Sequence, residues 1–409
     1  MVTRTLAPPA VCPVENPGLT LDLSTELAKP WTHHEDAILD FLNDGGTRQA
    51  VLAAVRQQIT KPEQSILEMD ITGDRIPELI LGEAQFSIFG CEQGQYRVLP
   101  TEGIDIRNEF EYDIVYLLGA SDFNLDGLPE VIVEYYFQGL SAVRYYIRVY
   151  EWDGDSFENL AHQNLFGRVQ NFLEEANLSG VSFADADQNG TIDLVIQIGI
   201  PGHWDTYAHG PWREETHVYT WNGEAIVLGW MDIAPPEYRF QAIQDGDRAT
   251  LAGKYDQALD LYQQAIFSDR LAWWSPARRE NYVEDLHARL DQAPTPTLPA
   301  PDLLEYPNLA AYARFRILLL HLLRGYLTEA TTVYDTLLQK FPDGQPGHAF
   351  AEMAQAFWEE YQAGQDMGQA CSKAIDYAAG HPDILTYLGS DYHGWQSHIY
   401  KPEDVCPFK

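Results

Sequence analysis

Oxygen-bearing side chains stand at alternate positions of one nine-residue stretch, residues 122–130. Positions 1, 3, 5 and 9 of this stretch are Asp122, Asn124, Asp126 and Glu130. Position 6 is Gly127, and glycine allows a sharp turn that other residues resist. Calcium takes six to eight oxygen ligands at about 2.3–2.6 Å, and alternate acidic side chains on a tight loop supply them. The spacing therefore predicts a calcium-binding loop.

Two further stretches repeat this pattern, and an apolar run that is typical of a buried strand follows each of the three. The oxygen-bearing residues of the later stretch are Asp185, Asp187, Asn189 and Asp193, and those of the earlier one are Asp70, Thr72, Asp74 and Glu78. The three starts lie 52 (122 − 70) and 63 (185 − 122) residues apart. Three acidic loops in register indicate an internal repeat. The alternative is three ordinary acidic turns between strands.

The loops must be held by strands, and short runs of β-forming residues predict three antiparallel units. The expected strands are 78–83, 85–90 and 95–99, then 114–118, 130–137, 143–152 and 156–160, then 181–183, 193–198, 216–221 and 225–230. Asp153-Gly154 and Asn222-Gly223 are strong hairpin signals at matching places of the last two units. Closed propellers usually have four to eight blades. Three units therefore favour an open arc, with one face covered by helices.

The three stretches resemble the FG-GAP repeats of integrin-type β-propellers, over residues from about 65 to 232. The resemblance implies that the backbone carbonyl at position 7 joins the side-chain ligands of a structural calcium ion. It adds Leu128 to the second loop and Thr191 to the third. The first loop departs from the family pattern, because Arg75 replaces glycine and brings a positive charge. Its weaker candidate set is Asp70, Thr72, Asp74, the carbonyl of Ile76, and Glu78.

Composition narrows the classes of partner and the cellular compartment. The chain has 409 residues, enough for two or more domains, with 61 acidic against 26 basic residues and a net charge of −35. Such a charge argues against nucleic acid and anionic membrane surfaces, which recruit positive patches. No run of about 18 apolar residues predicts a transmembrane helix. The first ten residues resemble a Pro/Thr-rich tether left after a secretion signal or lipid anchor; the alternative is an intact cytosolic start.

Four cysteines without a C-x-x-C pair make zinc ribbons and thioredoxin-like chemistry improbable. An even number fits disulfides in an oxidising, extracytoplasmic compartment. Cys371 on a predicted helix and Cys406 near the end of an irregular tail are the expected bridge. Cys12 and Cys91 are then left either paired or free.

A long insertion in the third unit carries aromatic and metal-binding side chains, and such loops are often places where binding function is located. The candidates for stacking on a sugar or a partner are Trp204, Tyr207 and Trp212. The candidates for a transition metal are His203, Asp205, His209 and His217. The alternative is a loop whose aromatic residues only pack on the sheet edge, since the spacing matches no known metal signature.

Helical periodicity appears at both ends of the β region. The predicted helices cover 35–42, 47–59, 240–251, 255–267, 276–290, 311–323, 327–340, 349–361 and 367–379. Small and aromatic residues in the later pairs resemble tetratricopeptide repeats, for example Ala242, Ala249, Gly253, Tyr255, Ala258, Tyr262 and Ala265. The resemblance implies a concave groove for a peptide or partner helix. The alternative is that these helices only support the β region.

These observations predict an α+β multidomain protein. The expected segments are a tether 1–30, helices 31–62, FG-GAP-like blades 63–235, a tetratricopeptide-like pair with a further helix 236–292, a proline-rich linker 293–308, and helices with an irregular tail 309–409. No nucleophile elbow, phosphate-binding glycine loop or zinc protease motif is present. The expected function is a non-catalytic, extracytoplasmic, calcium-stabilised scaffold for an unknown protein partner. The alternative is a carbohydrate-binding or glycan-hydrolysing protein that uses residues 202–217.

Overall fold

The chain forms two compact units, a β unit and a helical unit. The computed structural model describes residues 12–23, 31–57, 65–82, 86–101, 114–138, 143–165, 168–170, 172–176, 178–199, 211–274, 278, 294, 297, 299–389 and 398–408. The β unit comprises Met1–His203 and Glu214–Ile233, and the helical unit comprises Trp204–Arg213 and Ala234–Lys409. The N-terminal helices therefore belong with the β strands, and part of the 202–217 insertion belongs with the helical unit.

Two helices and three larger sheets make up the described part of the β unit. The helices are α1 (Trp31–Asn43) and α2 (Arg48–Arg56). Sheet 1 contains β1 (Ile66–Met69), β2 (Glu78–Gly82), β3 (Phe86–Glu92) and β4 (Gln95–Val98). Sheet 2 contains β5 (Ile114–Ser121), β6 (Glu130–Gln138), β7 (Val143–Trp152), β8 (Phe157–Asn159) and β11 (Leu173–Ala176). Sheet 3 contains β12 (Leu178–Ala184), β13 (Asp193–Ile198), β14 (Glu215–Trp221) and β15 (Ile226–Ile233). A separate ribbon pairs β9 (Gln163–Leu165) with β10 (Arg168–Gln170).

The three sheets share one antiparallel plan, in which an acidic loop joins the first strand to the second. Strand order is β1-β2-β3-β4 in sheet 1, β11-β7-β6-β5 with β8 beside β7 in sheet 2, and β12-β13-β14-β15 in sheet 3. The hairpin signals are confirmed in the last two sheets, where Asp153 and Asn222 each accept two backbone N–H bonds within the turn. The described strands form no closed barrel.

Apolar side chains pack the sheets in layers. On β2, Leu79 and Leu81 lie in a core with α1 and α2, while Ile80 lies in a core with sheet 2. On β6, Val131 packs toward sheet 1, whereas Ile132 packs with residues of sheet 3. Alternate residues of a strand point to opposite faces, so these continuous apolar runs are buried on both sides. The expected helical cover therefore lies on sheet 1.

Equivalent backbone hydrogen bonds link neighbouring sheets. The backbone N–H of Phe157 in sheet 2 donates to the carbonyl of Pro100, which follows sheet 1, at 2.9 Å. The N–H of Ile226 in sheet 3 donates to the carbonyl of Leu160, which follows β8, at 2.8 Å. Phe157 and Ile226 occupy the same place after their hairpin turns. The internal repeat therefore extends from the acidic loops to the connections between sheets.

The described part of the helical unit contains six α-helices and two 3-10 helices. They are α3 (Arg239–Leu251), α4 (Tyr255–Phe267), α5 (Glu305–Leu323), α6 (Leu327–Lys340), α7 (His348–Gly364) and α8 (Met367–Gly380), with 3-10 helices at Pro382–Leu388 and Pro402–Val405. Helix α5 begins six residues before the predicted Ala311, inside the expected linker. Of the predicted helix 276–290 the structure describes only residue 278, and within the expected linker it describes residues 294, 297 and 299–308. Within the described chain, no helix combines the length and apolar character needed to cross a bilayer.

A buried polar network lies at the centre of the helical unit. The carboxylate of Asp247 contacts the Arg316 guanidinium at 2.9 Å and accepts hydrogen bonds from the hydroxyls of Tyr262, Tyr312 and Tyr400. Arg316 also donates to the carbonyl of Val405 at 2.9 Å. An unpaired buried charge would be costly, so the arginine and three hydroxyls together compensate one carboxylate. The network fastens the C-terminal tail to α3 and α5.

Two disulfides are present, Cys12–Cys91 and the expected Cys371–Cys406. The first joins the N-terminal segment to β3, and the second joins α8 to the end of the 3-10 helix Pro402–Val405. Both pairs are consistent with an oxidising environment.

Removal of the second bridge should loosen the tail. In Cys371→Ser/Cys406→Ser, we expect a loss of about 3–4 kcal/mol in the free energy of unfolding, because 34 residues (406 − 371 − 1) lie between the cysteines. Hydrogen exchange should accelerate in 398–408. The matched Cys12→Ser/Cys91→Ser variant should leave exchange in that segment unchanged. Equal protection of the tail in both variants would contradict the prediction.

Candidate metal-binding loops

The three acidic loops have the same backbone conformation. Each last-position acid is the first residue of the second strand and pairs with the residue just before the loop, as Met69↔Glu78, Ser121↔Glu130 and Ala184↔Asp193. Positions 4 and 6 have positive φ in every loop: Gly73 (78°) and Arg75 (71°), Leu125 (60°) and Gly127 (98°), Gln188 (61°) and Gly190 (91°). Arg75 therefore adopts the left-handed conformation that glycine takes in the other loops. Arginine at position 6 therefore changes the charge of the first loop and leaves its turn intact.

The first-position aspartate organises each turn. Its second oxygen accepts the backbone N–H of position 6, from Arg75 to Asp70 at 2.9 Å, from Gly127 to Asp122 at 3.1 Å, and from Gly190 to Asp185 at 3.0 Å. The position-5 side chain likewise accepts the N–H of position 7 in all three loops, at 2.7–2.9 Å. Position 7 is Ile76, Leu128 or Thr191. These bonds hold the side chains of positions 1 and 5 over the loop.

The last-position acid is buried in all three loops. Glu78 is 1% exposed, and Glu130 and Asp193 are fully buried. One oxygen of each accepts the N–H of position 2, from Ile71 at 2.9 Å, Phe123 at 2.7 Å and Ala186 at 2.9 Å. The bond closes the loop by joining its second residue to the start of the following strand.

The other oxygen of this acid distinguishes the loops. In the first loop, Oε1 of Glu78 accepts a hydrogen bond from the Thr72 hydroxyl at 3.1 Å. In the second and third loops, Oε1 of Glu130 and Oδ1 of Asp193 are buried and have no hydrogen-bond partner. Buried polar atoms are nearly always paired, and an unpaired carboxylate oxygen is especially costly. These two oxygens are therefore the atoms in the acidic loops that most need a ligand.

Two further carboxylates lie close to each of the two acids that have an unpaired oxygen. In one group, ligand atoms of Asp122, Asp126 and Glu130 all lie within 4.8 Å of one another. In the other, the same holds for Asp185, Asp187 and Asp193. The described acids of the first loop form no such group. The structure thus brings together most of the predicted side-chain ligands of loops two and three.

Burial makes ionisation of these acids unfavourable. It raises the pKa of Glu130 to about 8, against the opposing effect of the Phe123 N–H, and the negative charges of Glu151, Asp122 and Asp126 raise it further. Burial likewise raises the pKa of Asp193, and the bond from Ala186 opposes the shift. A cation between the carboxylates would offset both desolvation and mutual repulsion.

Asn124 has a supporting contact outside its loop. Its amide nitrogen donates to Glu151 on β7 at 3.0 Å, while its side-chain oxygen accepts the N–H of Asp126 at 2.9 Å. The bond to Glu151 fixes which end of the amide faces the loop. The oxygen is therefore directed inward, as a ligand position requires. In the third loop, Asn189 instead donates to Asp187 at 2.9 Å.

The aromatic insertion is only partly described. Trp212 is 5% exposed, so its ring offers little surface for stacking on a sugar. The other candidates at these positions, namely His203, Trp204, Asp205, Tyr207 and His209, lie outside the described residues. The described part of this segment thus contributes no open aromatic surface.

His217, a predicted transition-metal candidate, instead lies between two buried carboxylates. Its Nδ1 is 2.7 Å from Glu175 in sheet 2, and its Nε2 is 2.7 Å from Glu215 in sheet 3. The Tyr219 hydroxyl also donates to Glu175. Only the imidazolium has an N–H for each carboxylate. His217 is therefore a cationic link between the two sheets.

Comparisons of the chain with known protein families, curated proteins and solved structures find no match.

The stability of the first loop should depend on the Thr72 hydroxyl. In Thr72→Val, we expect a loss of about 1–3 kcal/mol in unfolding free energy, because an oxygen of buried Glu78 loses its partner. The matched control is Thr191→Val, whose exposed hydroxyl bonds within the third loop. It should cost less than about 0.5 kcal/mol. Chemical denaturation measures both changes, and equal losses would contradict the assignment.

Stability should fall as His217 loses its proton. Burial alone would lower the pKa of His217, but hydrogen bonds and charges from Glu175 and Glu215 outweigh it and raise the pKa to about 9. Because this folded-state pKa lies above the unfolded value of about 6.5, the contribution is complete below about pH 6.5 and disappears as the pH rises through about 9.

Denaturant unfolding between pH 6 and pH 10 tests this, with His217→Gln as the reference. The difference in unfolding free energy between the two proteins should shrink with rising pH. The difference is the required quantity, because Glu78 and Glu130, with pKa values near 8, titrate in the same window. A pH-independent difference would refute the ionic link.

Proposed function

We propose that the protein is a non-catalytic, extracytoplasmic binding scaffold whose β unit is stabilised by calcium in its second and third acidic loops. The observation that carries the proposal is the pair of fully buried carboxylate oxygens, Oε1 of Glu130 and Oδ1 of Asp193, that have no hydrogen-bond partner. Each belongs to a group of three converging carboxylates. A cation supplies the missing partner and neutralises the group.

The donor atoms favour a hard cation. Every side chain of the two sets, Asp122, Asn124, Asp126 and Glu130 with Asp185, Asp187, Asn189 and Asp193, offers oxygen as its ligand atom, and no thiol or imidazole takes part. Oxygen-only sets suit calcium, magnesium or manganese. The four side chains and one backbone carbonyl of each loop are five groups, and bidentate carboxylates raise the number of oxygens to the six to eight that calcium takes, whereas magnesium demands a stricter octahedron and retains water.

The first loop is left out of the proposal. Its last acid is already satisfied by the Thr72 hydroxyl, and its acids do not converge as the others do. The charge of Arg75 further opposes a cation. We therefore interpret the first loop as a turn of the same shape in which a hydroxyl takes the place of an ion. This interpretation covers its weaker ligand set, Asp70, Thr72, Asp74, Ile76 and Glu78.

A scaffold role is supported by how the acids are used. The same backbone geometry occurs three times and closes the same connection between strands in each sheet. A single active site would require one distinctive constellation. Two disulfides are compatible with an extracytoplasmic protein, and they restrain both units without contributing chemistry.

Calcium titration calorimetry should give two sites per chain. Glu130→Gln and Asp193→Asn should each remove one site, because each replaces a charged oxygen in one carboxylate group. The matched control, Glu78→Gln in the first loop, should retain both sites. Calcium should also raise the melting temperature, since binding at 100- to 1,000-fold excess over Kd adds about 3–4 kcal/mol per site. An unchanged melting temperature with calcium or chelator, or loss of a site in Glu78→Gln, would reject the proposal.

A further inference from the structure

The helical unit contains a cleft of about 670 Å³ that is separate from the acidic loops. It is bounded by the start of α5, the turn before α7 and the 3-10 helix Pro382–Leu388. Its apolar lining includes Trp274, Leu304 and Ile384, and its charged lining includes Asp302, Glu305 and Asp383. The cleft is therefore formed by helix ends and turns, and not by the faces of paired helices.

Negative charge dominates this cleft. Its described lining residues include three acids and no lysine or arginine, and His348 is the one basic type of side chain among them. Both oxygens of buried Glu305 accept the Trp274 backbone N–H at 2.8 Å, which fixes this acid in the wall. Burial raises the pKa of Tyr387, and the charges of Asp302, Glu305 and Asp383 raise it further. The three acids thus act on one wall of the cleft.

An apolar surface lies beside the acids. The Trp274 ring packs against Tyr238, with ring centroids 4.9 Å apart, and is only 4% exposed, so the accessible apolar surface is that of the neighbouring leucines. Leu304 at the rim is 47% exposed, and the preceding Leu303 is 84% exposed. Exposed leucines next to fixed carboxylates match a ligand that has an aliphatic stem and a cationic end.

We infer that the cleft binds an extended peptide segment of a partner protein through a lysine or arginine side chain, whose stem packs on Leu304 and whose charge meets Asp302 and Asp383. The inference rests on the proposed scaffold role and specifies the chemistry of its partner. A second copy of this chain is disfavoured, because two molecules of net charge −35 repel each other. A basic partner is attracted by the same field.

Fluorescence anisotropy with labelled seven-residue peptides tests the inference. The central residue is arginine between two leucines, and the reference peptide has neutral citrulline, which keeps the shape of the side chain. We expect the arginine peptide to bind at least about tenfold tighter, equivalent to about 1.4 kcal/mol, with the difference shrinking as salt is added. Equal affinity of the two peptides, preference for a central glutamate, or no binding at about 1 mM would overturn the inference.

Matched variants locate the site. Asp302→Asn/Asp383→Asn should abolish the preference for arginine, while Asp335→Asn/Asp376→Asn should retain it. Asp335 and Asp376 are exposed and do not line the cleft, so this variant controls for the loss of two charges. An unchanged melting temperature shows that the double variant is folded. A preference that survives in the double variant would place binding elsewhere and overturn the inference.

Further measurements distinguish a peptide from other occupants of the cleft and test the cleft independently of the calcium proposal. Competition by free spermidine at the affinity of the peptide would identify a polyamine site and overturn peptide recognition. A monomer–dimer equilibrium that changes in the double variant would identify a second copy and also overturn it. The peptide assay is repeated in chelator and with Glu130→Gln. Peptide binding that persists under both conditions supports the inferred peptide site even if the calcium proposal is rejected. Conversely, a failure of peptide binding does not change the number of calcium sites counted by calorimetry.

Discussion

The β unit depends on a carboxylate buried at the start of the second strand of every sheet. Glu78, Glu130 and Asp193 each join a loop to the strand that follows it, through a bond from the second residue of the loop. This placement aligns the first two strands, yet it removes an acidic group from water. An ionised carboxylate in such a place must gain compensation from polar partners or from opposite charge. The choice of compensation is what distinguishes one loop from another.

The helical unit also buries a carboxylate, and it compensates this charge with its own side chains. Asp247 is compensated by Arg316 and by three tyrosine hydroxyls, and Arg316 is itself 1% exposed. Removal of one partner from such a buried pair leaves an uncompensated charge. This typically lowers the free energy of unfolding by more than the pair contributes to stability. Because Tyr400 and Val405 belong to the C-terminal tail, the network also determines the position of this tail after α8. The disulfide Cys371–Cys406 restrains the same segment covalently.

Sequence periodicity identified elements wherever local pattern and packing agree. Helices Tyr255–Phe267 and Leu327–Lys340 begin and end as predicted, because their apolar spacing coincides with their buried faces. Helix α5 starts earlier than the predicted Ala311, and Pro307 lies in its first turn, where proline is tolerated. Strand β11, with sequence Leu-Glu-Glu-Ala, was missed because its position depends on pairing with β7.

The side-chain sets of the acidic loops were predictable because their ligands are close in sequence, whereas partners from other strands were not. Nothing in the spacing of His217 indicated Glu175, which lies 42 residues away in another sheet. Likewise, Thr72 occupies a ligand position by sequence, yet its hydroxyl satisfies Glu78 directly. Alternate oxygens predict the shape of a loop, and the pairing of the last acid decides whether that loop needs an ion.

This distinction divides the β unit by the source of its stability. Sheet 1 satisfies its buried acid with a hydroxyl, packs against α1 and α2, and is joined to the N-terminal segment by Cys12–Cys91. Each of these restraints is internal to the chain. Sheets 2 and 3 each retain an unpaired buried oxygen. Because Ile132 and Leu194 lie in one core between these sheets, repulsion within either loop acts on packing that both share. On the proposed function, the ion therefore stabilises the interface between sheets 2 and 3 as well as each loop, while sheet 1 provides a base that is independent of calcium.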